Sequence, residues 1–135
     1  MPTFSESVEI NATPDEVWAV LGDLASVDHW IPGVSAVTVD GMSRVCTFED
    51  GHIQNERILD YSPSARSYRY RIDGAPLPVT DNVGCFAVRS SNNNALVVWE
   101  SSFEPVDPAM AGQLSQMWQP YLPIVLESLK NLVET

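Results

Sequence analysis

Many of the 135 residues are of a type that could move protons or attack carbon, 18 Asp and Glu, two His and two Cys among them, so their placement matters more than their number. Glu56 stands first among them, on a stretch of strand period. A carboxyl group turned into an apolar hollow has its pKa raised by desolvation, which suits a general acid/base or a hydrogen-bond anchor. Facing water, or paired with Arg57 or Arg69, the same group is structural. Tyr70 could hold a ligand carbonyl through its hydroxyl, or be a core tyrosine with that hydroxyl at the rim. Asn82 could donate an orienting hydrogen bond, or Asp81-Asn82 could begin an exposed strand. His29 and His52 titrate near neutral pH, but the sequence offers neither an evident partner. His52 follows a turn and is expected to be exposed, while His29 sits beside Trp30 near the mouth of any pocket.

Other chemistries find no pattern. Ser, His and Asp occur without a nucleophile elbow or a spacing that implies a triad. No Gly-rich phosphate loop is present, and no cofactor is expected. Cys46 and Cys85 are the only cysteines, and free buried thiols are the expectation. Two Cys and two His at scattered spacing fall short of the roughly four ligands that zinc takes, so no metal site is expected.

The elements that must position these groups follow from period and punctuation. Thr3 to Ile10 alternates, with Phe4, Val8 and Ile10 on one side together with Glu6. Thr13 caps a helix, with Pro14 first and Glu16 three residues after the cap. Leu24 to Trp30 makes a second short helix, stopped by Ile31-Pro32-Gly33. Strand period then runs from Val34 to Phe103, broken at Asp40-Gly41, Asp50-Gly51, Ser62-Pro63-Ser64, Asp73-Gly74-Ala75-Pro76 and the Ser-Asn run 90–94. Leu114, Met117, Trp118, Tyr121, Leu122, Val125, Leu129 and Leu132 recur at three- and four-residue steps, which predicts one apolar-faced helix of about 25 residues. Pro120 and Pro123 should kink it over a cavity; the alternative is two separate helices.

A sheet run of that length is too long to stay flat, and the last helix alone can cover it. An antiparallel sheet curved around one helix tends to leave a hollow, and function is sought there. On the final strand, amphipathicity turns Trp99 and Phe103 inward and Glu100 outward. Trp118, Tyr121 and Ile124 read as core and equally as the floor of a pocket.

Bulk properties exclude several classes. With 44% hydrophobic residues, the chain fits one folded domain over 1–135. A net charge of −11, with seven unclustered Lys and Arg, disfavours nucleic acid and anionic lipid as partners. No apolar run reaches the roughly 18–20 residues of a membrane span. The start Met1-Pro2-Thr3-Phe4 shows no secretory signal, so a cytoplasmic location is expected; monomer and homodimer both remain open.

The order β-α-α-β6-α resembles the helix-grip fold of the SRPBCC/START-like superfamily, shared by polyketide cyclases, START lipid-binding domains, Bet v 1-type allergens and plant abscisic-acid receptors. The strings Ala12-Thr13-Pro14-Asp15-Glu16-Val17-Trp18, Asp28-His29-Trp30-Ile31-Pro32-Gly33-Val34, Glu56-Arg57-Ile58 and Val98-Trp99-Glu100-Ser101-Ser102-Phe103-Glu104-Pro105 are similar to its polyketide cyclase/dehydrase group. The resemblance implies an α+β fold, a curved seven-stranded antiparallel sheet around a long C-terminal helix. It also implies that Glu56 faces the cavity, and with it Gln54 and Ile58 by the two-residue period. Residues 41–51 match the receptor strand before the gate, which would turn Cys46 and Phe48 inward; Tyr68, Tyr70 and Ile72 should face the same hollow. Only four residues separate Gly51 from Glu56, too few for the receptors' gating loop. Aligned on Glu-Ser with the receptors, Glu100 rather than Trp99 would face in.

The resulting expectation is a protein that binds a small hydrophobic or aromatic molecule, with Trp30 among the contacts and Asn82 orienting the ligand. Two alternatives accompany it: a true polyketide cyclase or dehydratase using Glu56 and Tyr70 as acid and base, and a carrier of lipid or aromatic ligands without chemistry.

Overall fold

The computed structural model describes residues 2–74 and 77–135, so Met1 and the second half of the Asp73-Gly74-Ala75-Pro76 turn lie outside the described residues. Strand β1 (Thr3–Ile10) leads to helix α1 (Pro14–Leu21). The Thr13 hydroxyl accepts the Glu16 N–H and the Glu16 carboxylate accepts the Thr13 N–H, a complete capping box with Pro14 in the first turn. Gly22 closes α1 because the Trp18 indole lies where a Cβ would stand. A 3-10 turn (Leu24–Ser26) and the one-turn helix α2 (Val27–Trp30) follow, and Gly33 at φ 91° redirects the chain into the sheet.

The sheet continues with β2 (Val34–Asp40), β3 (Ser43–Phe48), β4 (Ile53–Ser62), β5 (Ser67–Gly74), β6 (Val79–Ser91) and β7 (Asn94–Pro105). All seven strands pair antiparallel in the order β1-β7-β6-β5-β4-β3-β2. The turns fall where Gly and Asn permit positive φ: Gly41, Gly51, and the pair Asn92-Asn93 between β6 and β7. Each long strand buries alternate residues. On β6 these are Asn82, Gly84, Phe86 and Val88; on β7 they are Ala95, Val97, Trp99, Ser101, Phe103 and Pro105. Trp99 therefore points inward and Glu100 to solvent.

The C-terminal segment takes the second of the two forms that its prolines allow. Instead of one long kinked helix there are two, α3 (Ala111–Trp118) and α4 (Tyr121–Glu134), separated at Gln119 and Pro120. Pro120 has no N–H to continue the ladder, and Pro123 removes a second donor one turn later. The break divides the labour. α4 buries Leu122, Val125, Leu126 and Leu129 in the core with Val17, Leu21, Val27 and Val97. Its far end is tied to the end of β1 and the residue after it: Lys130 Nζ donates to the Glu9 carbonyl at 3.3 Å, and Glu134 Oε2 accepts the Asn11 N–H at 2.8 Å. α3 buries only Leu114 and stands over the other half of the sheet.

Candidate functional site

Because α4 fills only one half of the concave face, a cavity of about 430 Å³ remains in the other half. β3 and β4 contribute Arg44, Cys46, Phe48, Gln54 and Glu56; β5 contributes Tyr70 and Ile72; β6 and β7 contribute Val79, Asn82, Phe86, Trp99 and Phe103. α3 roofs it with Leu114, Met117 and Trp118, and Tyr121 starts α4 at its side. Ile31, Pro32, Leu77 and His52 also line it, with Leu77 and Met117 partly open to solvent.

The walls are mostly rings in contact. Phe86 stacks on Trp99 at 4.9 Å between centroids, Trp99 meets Trp118 edge-on at 5.8 Å, and Trp118 meets Tyr121 at 5.2 Å. Their polar edges are used to fix them: Trp99 Nε1 donates to the Tyr70 hydroxyl at 3.0 Å, and Trp118 Nε1 donates to Ser101 Oγ at 3.1 Å. Gly84 leaves room for the Tyr70 ring, which occupies the space a side chain at that position would need.

One arc of the wall is polar. Arg44 and Glu56 lie opposite each other in the β3–β4 register. Arg44 donates to Glu56 Oε1 through Nε at 2.9 Å and Nη2 at 2.6 Å, with both side chains buried, at 2% and 5% exposure. Arg44 Nη1 donates to the Leu24 carbonyl at 3.2 Å and to the Tyr68 hydroxyl at 3.4 Å. Glu56 Oε2 accepts from Gln54 Nε2 at 2.6 Å, and the Cys46 thiol lies 3.7 Å from it. The guanidinium also rests over the Tyr68 and Tyr70 rings, at 5.5 and 5.9 Å. Burial alone would lower the Arg44 pKa, but the Tyr68 hydroxyl and the Glu56 carboxylate outweigh it and hold the guanidinium charged.

The remaining polar groups are neutral. Burial, then the neighbouring Glu56 carboxylate, pushes the Cys46 thiol up to about 12, so it is protonated and no nucleophile at neutral pH. Burial carries Tyr70 well above the ordinary tyrosine value and Tyr121 to about 12, with the charge of Glu56 a lesser cause in both. Both hydroxyls therefore keep their protons. Among the described residues no group accepts the Tyr70 proton, and the Asn82 amide, in a residue only 8% exposed, has no side-chain hydrogen bond. Asn82 owes its direction to a β-bulge. Two β6 residues, Asp81 and Asn82, oppose Phe103 alone on β7, and Asp81 sits at φ 49°. The extra residue changes the parity of the strand, so Val79 and Asn82 both face the cavity.

Of the residues singled out from the sequence, Cys46, Phe48, Glu56, Tyr70, Ile72, Asn82, Trp99, Phe103, Trp118 and Tyr121 line this one cavity. Three placements are corrected. Trp30 is core: its Nε1 donates to Ser26 Oγ at 3.0 Å and its ring meets Phe86 edge-on, behind the wall. Tyr68 is fully buried between Tyr61, Tyr70 and Phe86 and only backs the polar arc. Ile124 is 57% exposed and does not line the cavity, although Tyr121 one turn before it does. The view of Glu56 as a lone acid in a greasy hollow is also corrected, since Arg44 neutralises it; the partner is neither Arg57 nor Arg69.

Arg44 was missed, although the two-residue period that turns Cys46 and Phe48 inward applies equally to it. His52, expected at the surface, stacks on Phe48 at 4.2 Å and joins the cavity rim, held by Asp50. His29 stays outside the cavity, with its side chain 67% exposed. Among the described residues no group of three or more His, Cys, Asp and Glu could hold a metal ion, and no helix is long and apolar enough to cross a membrane.

A curved seven-stranded sheet closed by a C-terminal helix, with a hollow between them, defines a START-like helix-grip protein. The chain belongs to the family described as polyketide cyclase/dehydrase and lipid transport, whose model matches residues 1–134. Its structure is similar to XoxI from Bacillus cereus, 26% identical with TM-score 0.88, covering 98% of this chain and 96% of that one. It is similar to the di-domain ARO/CYC BexL of the BE-7585A biosynthetic pathway, 20% identical with TM-score 0.88, covering 99% of this chain and 47% of that one. A START superfamily protein from Mycobacterium smegmatis is 13% identical with TM-score 0.83, covering 98% of this chain and 97% of that one. The likeness at these two lower identities is one of fold. Among curated proteins, none matches the chain by sequence.

Proposed function

We propose that this protein takes up one small, largely apolar or aromatic molecule between the sheet and α3. The observation that carries the reading is the cavity of about 430 Å³ walled by Phe86, Trp99, Trp118 and Tyr121. A solid core would have filled this space, since protein interiors are close-packed. A planar ligand stacking on those rings would gain apolar burial at about 25 cal/mol per Å². Cys46, Phe48, Ile72 and Phe103 would supply the apolar contacts, and Tyr70 and Asn82 the hydrogen bonds.

Binding is favoured over catalysis by the state of the two candidate groups. A general base needs an accessible, unengaged acceptor within reach of the reacting proton. Both Glu56 oxygens are engaged, one by Arg44 and the other by Gln54. Tyr70 can donate a proton in a hydrogen bond but cannot serve as a base while burial holds its hydroxyl protonated. The family's cyclase and dehydratase activities are thus a weaker reading for this chain than ligand binding or carriage.

A titration with anthracene carboxamide, followed by the fluorescence polarisation of the anthracene ring, tests the proposal. Wild type should bind it saturably at one molecule per chain. Leu114→Trp, which fills the roof of the cavity, should weaken binding at least about tenfold while keeping the fold by circular dichroism. Saturable binding that is equal in the two proteins would sink the proposal.

A further inference from the structure

The polar arc of the cavity is a closed account of charge. Arg44 is its lysine- or arginine-type cation, and Glu56 cancels it through two hydrogen bonds to one oxygen. Arg44 Nη1 is turned to the Leu24 carbonyl and the Tyr68 hydroxyl. His52, the other basic group at the cavity, is held by Asp50 at the rim. The unengaged hydrogen-bonding groups of the wall include the Asn82 amide, nine-tenths buried and without a hydrogen bond, the Tyr70 hydroxyl proton and the Tyr121 hydroxyl, all of them neutral. A carboxylate entering here would bring a second negative charge beside Glu56 with no cation left to meet it, and an uncompensated buried charge is strongly disfavoured. The chain's net charge of −11 opposes its approach as well.

Resting on the binding reading above, we infer that the cavity is a charge filter that admits uncharged ligands bearing carbonyl or hydroxyl oxygens and rejects organic anions such as fatty or aromatic acids. Glu56 sets the filter by cancelling Arg44, and Asn82, aimed by the Asp81 bulge, reads the neutral oxygen.

Anthracene carboxamide and the corresponding anthracene carboxylate share ring and shape and differ in charge at neutral pH. Wild type should prefer the carboxamide by at least about tenfold. Glu56→Gln leaves the Arg44 charge without its counter-ion, and the preference should reverse, with the carboxylate also raising this variant's melting temperature by binding the folded state. Asn82→Leu should weaken the carboxamide about tenfold and leave the carboxylate no tighter. Should Glu56→Gln fail to fold, the double variant Arg44→Met with Glu56→Leu has no buried charge to strand, and it should keep the preference for the carboxamide. Wild type binding the carboxylate as tightly as the carboxamide overturns the filter and leaves the binding reading standing, as does a folded Glu56→Gln with no gain for the carboxylate. Wild type binding neither probe overturns the binding reading and the filter with it.

Discussion

At the scale of residues, the Arg44–Glu56 pair dominates the site. Two buried opposite charges gain little over an apolar pair of similar volume, whereas removing one partner strands the other. Arg44→Met alone should therefore destabilise the fold by about 3–5 kcal/mol, and adding Glu56→Leu should restore most of it. Urea unfolding of the two variants measures this, and equal losses in single and double variants would contradict the account. The pair was hidden in the sequence for a definite reason. Arg44 and Glu56 meet only through the β3–β4 register, which a turn at residues 50 and 51 sets and which no local pattern states. Arg57 and Arg69 were nearer in sequence or parity, but both side chains are at least half exposed and face acidic neighbours. Trp30 and Trp118 show the same limit. Both are large aromatic residues on helical sequence, and only packing decides that one is core and the other cavity wall.

At the scale of elements, most boundaries were legible. The capping box of α1, the Gly turns before β3 and β4, the Asn turn before β7 and the alternation of β7 all appear where composition puts them. The division of the last helix was half legible, since Pro120 marks the place but not whether α3 bends or separates. The bulge in β6 was not legible, because Asp81-Asn82 is as compatible with a plain strand start. Its backbone nevertheless decides what Asn82 can touch. Asp81 at φ 49° is a conformation that Gly tolerates and a β-branched residue does not. Asp81→Val should cost about 1–2 kcal/mol and weaken carboxamide binding through the misaimed Asn82. Asp81→Gly should keep binding, and thermal unfolding with the same titration separates the two effects. Equal binding by both variants would show that the bulge does not position Asn82.

At the scale of the whole molecule, the fold accepts an incompletely filled interior, with neutral thiol and phenol groups around the gap. Cys46 ionises near 9.0 in an unfolded chain and at about 12 in place, and Tyr121 near 10.0 against about 12. Between these values the folded chain holds more protons than the unfolded one, so the contribution of these two groups to stability is constant below pH 9 and is lost as pH rises towards 12. Urea midpoints across that range should decline steadily, and a midpoint that stays constant would contradict the buried placement of these groups.

The four tryptophans make the central claim directly measurable, because two line the hollow and two do not. Nitrogen-15 correlation spectra resolve their indole N–H signals as anthracene carboxamide is added. The account predicts that the Trp99 and Trp118 signals shift to saturation while those of Trp18 and Trp30 hold still. Signals of Trp99 and Trp118 that stay in place at saturating probe, with Trp18 or Trp30 moving instead, would put the ligand elsewhere and contradict it.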